Sequence, residues 1–185
     1  FTPTYTYSGL VSGDTSATLS NSAATYDSTH AGQATKVTVS GLSITGITGN
    51  KGSQASDYVL NSTSKDVSAA ITAATLTPTV SNTGVTKVYD AGTSAPTGFT
   101  PTYTYSGLVS GDTSATLSNT GTAYNDANVL QATKVTVSGL SITGVTGNKG
   151  SLASDYVLSA TSKDVAATIT PKTVSLAATK VYCLL

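Results

Sequence analysis

The chain has 185 residues, a net charge of zero and only 10% charged residues, well under the ~25% usual for globular domains. All nine bases are Lys and all nine acids are Asp; Arg, Glu, Met and Trp do not occur. This composition offers no basic face for nucleic acid and no apolar run near the ~20 residues that a membrane-spanning helix needs.

Strand signals dominate in chain order, as expected of a chain rich in Thr, Ser and Gly. Thr4-Tyr5-Thr6-Tyr7 puts both tyrosines on one face of an extended segment, and Ser12-Gly13-Asp14 reads as a turn. Lys36-Val37-Thr38-Val39-Ser40 alternates as a half-buried strand does. Leu42 and Ile44 continue in the opposite phase, so Gly41 predicts a bulge or tight bend. Thr48 to Gly52 is a second turn. Asp57 to Leu60 places Tyr58 and Leu60 on one face, and Val67, Ala69 and Ile71 recur at period two. Ala69 to Ala74 is the one short helix candidate; its Thr content favours a strand. A further strand is expected at Thr86-Lys87-Val88-Tyr89-Asp90. Strands bounded by turns at this spacing predict an all-β fold of tandem β-sandwich (Ig-like) modules.

The chain says nearly the same thing twice. Phe1 to Leu10 returns as Phe99 to Leu108, an offset of 98 residues, and the match runs on to Ile71-Thr72 against Ile169-Thr170. A period this long marks whole domains rather than solenoid units. Three parts are expected: 1–79, a first module lacking its N-terminal strand; 84–172, a complete second module; and 173–185, the start of a further repeat. Thr86 to Tyr89 recurs as Thr179 to Tyr182, but the copy ends Cys183-Leu184-Leu185, where Asp-Ala-Gly would follow. Cys183 is the only cysteine, which leaves no intrachain disulfide.

Catalysis is not expected. His30 is the only histidine, its counterpart is Asn128, and no Gly-x-Ser-x-Gly elbow accompanies it. No cofactor is expected either. Calcium needs six to eight oxygens; Asn125, Asp126 and Asn128 are the densest oxygen cluster, and side-chain-capped turns account for them more simply. An internal Lys–Asp crosslink would require a buried lysine, with Lys134 and Asp155 or Asp164 as its candidates. Ser22–Gly32 against Thr120–Leu130 is the most altered stretch between the copies. It reads as an exposed loop able to carry ligand specificity, with Tyr124, Asn125, Asp126 and Asn128 as candidate contacts.

Five segments, in order, resemble the YDG-type repeat domains of bacterial surface and secreted adhesins, including filamentous-haemagglutinin-like proteins. Lys87-Val88-Tyr89-Asp90-Ala91-Gly92-Thr93 resembles the name-giving Lys-x-Tyr-Asp-Gly-Thr, with Ala91 as an extra residue. Gly107 to Asp112, Val135 to Leu140, Asp155 to Leu158 and Ala167 to Lys172 resemble the family's Gly-Leu-Val-Ser-Gly-Asp, Val-Thr-Val-x-Gly-Leu, Asn-Tyr-x-Leu and Ala-x-Ile-Thr-Pro-Lys. The resemblance implies a β-rich module used in tandem, outside the cell or on its surface, and supplies no ligand. The function expected is that of a structural stalk or spacer whose partners are neighbouring modules or copies of itself. The alternative is a module binding host glycan or protein through residues 22–32 and 120–130. The ends add one expectation: Thr179, Lys180, Val181 and Tyr182 of one chain would complete the first module of the next, giving a head-to-tail filament.

Overall fold

The computed structural model describes residues 1–180. The fold is all-β; the helical content of these residues is two 3-10 turns, Ala55–Asp57 and Ala153–Asp155. Two compact units divide the chain, Phe1–Ala73 and the part from Ala74 onward.

The first unit has five strands: β1 (Asp14–Ser20), β2 (Ala23–Tyr26), β3 (Lys36–Ser40), β4 (Ser43–Gly49) and β5 (Ser64–Ser68). β1 pairs with β4, and β2-β3-β5 form a second, antiparallel sheet. Gly41 lies between β3 and β4, where the chain leaves one sheet for the other. Its φ of +64° is a conformation that disfavours a Cβ, and a Cβ there would lie 1.9 Å from Ser22 Oγ. The phase change read from the sequence is thus a tight bend.

The second unit has nine strands: β6 (Ala74–Val80), β7 (Val85–Val88), β8 (Tyr103–Ser106), β9 (Asp112–Ser118), β10 (Gly121–Tyr124), β11 (Lys134–Ser138), β12 (Ser141–Gly147), β13 (Tyr156–Leu158) and β14 (Ser162–Thr170). β9 pairs with β12 in the same bulged register as β1 with β4. The sheet β10-β11-β14-β7 repeats β2-β3-β5 and adds a strand. The sheet β13-β6-β8 has no formed counterpart in the first unit.

This sets two corrections to the sequence reading. The boundary expected at residue 79 lies at 73/74, because Ala74–Val80 is the middle strand of a sheet in the second unit. Pro78 argues against such a strand in sequence. It is tolerated because the parallel ladder with β13 ends at the bond from Ser159 N–H to the Leu76 carbonyl, and Pro78 lies past it. In addition, residues 69–73 are neither the strand expected nor a helix.

The same fact explains the differences between the copies. Residues 103–106, 156–158 and 167–170 are strands, whereas their counterparts 5–8, 58–60 and 69–72 are not. All three strands pair with β6 or β7: Tyr103–Ser106 and Tyr156–Leu158 with β6, Ala167–Thr170 with β7. A backbone segment becomes a strand only where a partner takes up its N–H and C=O groups. These three near-identical segments therefore form strands in the second unit, where residues 74–88 lie alongside, and not in the first.

Packing follows suit. Val80, Val85, Tyr124, Val135, Val137, Leu140, Val165, Ala167 and Ile169 share one buried cluster with Ala132. The first unit's cluster is Val37, Val39 and Leu42, with Tyr5, Leu60 and Ala69 half-buried against it. Val67 is 41% exposed where Val165 is 6%, and Tyr26 is 46% exposed where Tyr124 is 4%.

Candidate functional site

The altered stretch is only partly a loop. Ala23–Tyr26 and Gly121–Tyr124 are strands, and the connections that follow them form the tips. Tyr124, a candidate ligand contact, is buried, and its hydroxyl donates to the Thr168 carbonyl at 3.0 Å. It cannot present its ring to a glycan. Burial, then the charge of Asp90, raises its phenol above the ordinary value.

Asn125 closes the connection. Its Oδ1 accepts from the amides of Thr133 (2.9 Å) and Lys134 (3.0 Å), and its Nδ2 donates to the Gln131 carbonyl (3.1 Å). Asp126 Oδ1 accepts from Asn128 N–H and Nδ2 at 2.7 and 3.0 Å. Two of the oxygens considered for calcium, Asn125 Oδ1 and Asp126 Oδ1, are thus engaged in capping their own turn. Among the described residues no group of three or more His, Cys, Asp or Glu side chains converges.

The first copy uses the same clasp with a charge on it. Asp27 Oδ1 accepts from the amides of Thr35 (2.9 Å) and Lys36 (3.2 Å), and Oδ2 from the Thr35 hydroxyl (2.6 Å). The Thr35 hydroxyl, followed by its amide, holds the Asp27 carboxyl down at about 2.

Lys134 Nζ meets Asp164 at 2.6 Å with both side chains nearly half exposed, as Lys36 meets Asp66. Asp155 instead accepts from the Leu152 amide at 2.7 Å, capping a 3-10 turn. These are solvated ion pairs and caps, without the buried lysine that a crosslink requires.

Sequence reasoning missed two constellations. Tyr156 OH donates to Asp112 Oδ2 at 2.5 Å and accepts from the Val109 amide at 3.0 Å; Tyr58, Asp14 and Val11 repeat the arrangement. The Tyr58 hydroxyl, then the Ser53 side chain, lowers the Asp14 carboxyl. The offset between Gly-Asp and Asp-Tyr, identical in both copies, was the available signal. The second is Leu130, exposed at the tip with φ +71°, where the first copy has Gly32, also at +71°. An exposed apolar side chain on a left-handed backbone is uncommon.

The Lys-Val-Tyr-Asp segment is a lock. Lys87 Nζ, its side chain buried, bonds Asp90 Oδ1 at 2.7 Å and the Gly92 carbonyl at 2.8 Å and lies 5.4 Å from the Tyr124 ring centre. That pairing with Lys87 lowers the Asp90 carboxyl. Asp90 Oδ1 also accepts from Gly92 N–H. Ala91, not Gly92, takes the left-handed backbone, at φ +64°. That backbone is one in which glycine is favoured over alanine.

In the first unit, Tyr5, Tyr7, Leu19, Leu42 and Leu60 line an open groove of about 390 Å³. Its counterpart in the second unit is where β6 lies, with Leu76 and Pro78 fully buried. Gly107 marks the difference: a Cβ there would lie 2.2 Å from the Thr75 carbonyl, while one on Gly9 would meet nothing within 4 Å. Of the candidate assembly residues, Thr179 and Lys180 are exposed and outside any strand; Val181 and Tyr182 lie outside the described residues.

No curated protein and no solved structure matches the chain. The YDG domain matches residues 72–164, just over half of the chain, starting immediately before β6 and ending within β14. The match takes in the Lys87–Asp90 lock, the β6 and β7 strands and the Tyr156 clasp, and the chain belongs to the YDG domain family.

Proposed function

We propose that the chain is a structural spacer: tandem Ig-like β-sandwich modules of a bacterial surface or secreted adhesin, placed in series to set distance. The observation that carries this reading is the use made of the segment between the repeats. Residues 74–88 are not a loose tether; they supply two strands to the second unit. Only Thr72 and Ala73 separate the carbonyl of Ile71, bonded by Gly32 N–H, from the first residue of β6. A flexible tether would be longer and rich in Gly and Ser. The sandwich is supported by the buried cluster, which draws side chains from β6, β7, β10, β11 and β14.

Leu130 favours one alternative, a module that binds host glycan or protein through the tip at 125–133. A screen of the chain against glycans and extracellular matrix proteins separates the two. The spacer reading expects no binding above an unrelated β-protein. Reproducible hits lost in Leu130→Ser or Asp126→Ala would replace it with the binding reading.

A further inference from the structure

We infer that residues 89–95 of the second unit are a strap guarding the edge of β10, and that the Lys87–Asp90 ion pair is its acid-sensitive latch. The latch is independent of the spacer reading.

The strap begins where β7 ends. β7 is one edge of the sheet β10-β11-β14-β7, and β10 is the other. Tyr89 N–H still donates to the Thr170 carbonyl at 2.9 Å, beside β7. By Thr93 the chain lies against β10. Ser94 bridges Ala123 in the antiparallel sense, and Tyr124 N–H donates to the Thr93 carbonyl at 2.6 Å. Ala95 N–H donates to the Thr122 carbonyl at 3.5 Å. An edge strand with open backbone groups is a template for another chain, and the strap takes that template away from β10. Its own main-chain hold on β10 is slight, and segments held in this way open locally.

The latch supplies the rest. Lys87 stands in register with Ile169, on the face that carries the buried cluster. Its stem therefore runs inside, and its Nζ meets Asp90 and the Gly92 carbonyl at the turn of the strap. The Lys87 side chain is 8% exposed and that of Asp90 is 58% exposed. The pair is thus lopsided. A proton reaches Asp90 freely, but the cost of losing the pair falls on Lys87, whose ammonium is left buried with a carbonyl and the Tyr124 ring. Removing one partner of such a pair leaves an uncompensated buried charge.

The other groups around the latch do not supply a counter-charge. Tyr124 comes from β10 and Tyr89 from the strap, both packed with the buried cluster and neutral in acid. β14 presents Thr168 and Thr170 to the two tyrosines. The Lys134–Asp164 pair lies on the opposite face of the sheet, since Val135 and Val165 beside it point into the cluster. Pairing with Lys87 holds the Asp90 carboxyl below its ordinary value. Its stabilisation is therefore present above the unfolded value, ~3.9, and is lost as pH falls through the lower folded value. The strap is closed at neutral pH and opens in acid.

The test is hydrogen exchange of the intact chain, corrected for intrinsic rates, at Tyr124 and Ala95 against Val135 in the middle of the sheet. Asp90→Asn at neutral pH is expected to speed exchange at Tyr124 and Ala95 by about tenfold or more, leaving Val135 unchanged. Wild type is expected to show the same local acceleration between about pH 5 and 2, and Asp90→Asn to lose that pH dependence. Lys87→Met/Asp90→Asn removes the buried charge together with its partner. It should return both amides to wild-type protection at neutral pH and remain insensitive to acid. Strap amides that keep their protection in Asp90→Asn overturn the inference. So does an acceleration shared equally by Val135, or a double variant that opens as far as the single one.

Discussion

Single residues show how two nearly identical sequences acquire different chemistry. Asp27 and Asn125 make the same clasp across a strand connection, but only Asp27 titrates. Its folded value, about 2, lies below the ~3.9 of a free aspartate. The stabilisation it gives is present above the unfolded value and is lost as pH falls through the folded one. Acidification from about pH 4 to 2 should therefore raise hydrogen exchange at Thr35 but not at Thr133, and Asp27→Asn should remove the difference. Ala91 gives a second case. A left-handed alanine costs ~1–2 kcal/mol, against ~0.5–1 for the freedom a glycine loses on folding. Ala91→Gly should stabilise the second unit by about 0.5–1 kcal/mol in denaturant titration. Neither effect was legible in sequence: the first depends on which amides face position 27, the second on which of two adjacent residues takes the turn.

Strands depend on their neighbours to different degrees. The pairs β1–β4 and β9–β12 form in both copies with identical register, including the same bulges. Their order comes from within the repeat. The bend at Gly41 and Gly139 belongs to this class, and it was readable from a phase change in an alternating pattern. A Cβ on Gly139 would lie 1.9 Å from Thr120 Oγ1 at φ +64°. Gly139→Ala should cost about 2 kcal/mol or more in thermal or chemical unfolding, combining the left-handed penalty with the clash. Segments 5–8, 58–60 and 69–72 belong to a second class. Their alternation is sound, and Tyr58 and Leu60 do share a face, yet they form no strands. Period two reports which face of a segment is apolar and is silent on whether a partner lies beside it. β6 was missed for the converse reason: proline and repeated threonines conceal a strand whose neighbours are some 25 to 80 residues further along the chain.

At the scale of the molecule, the copies form an internal control. Val37 and Val135 occupy the same position in the same local sequence, and both are buried. Only Val135 belongs to a cluster closed by Val80 and Val85. Native-state hydrogen exchange should give the Val135 amide a higher opening free energy, by at least about 2 kcal/mol, from the extra apolar burial around it. Equal values would mean that residues 74–88 add no stability. The all-β class was readable from periodicity. The division at 73/74 was not, because a repeat boundary shows where a pattern recurs and not which side a connecting strand joins. The parallel pairing carries a mechanical consequence. β6 enters the second unit alongside β13 in the same direction, and β14 leaves it alongside β7 in the same direction. Tension applied along these strands through the two ends of the unit loads their ladders in shear. The hydrogen bonds of each ladder then share the load and must slip together, instead of opening one at a time like a zip.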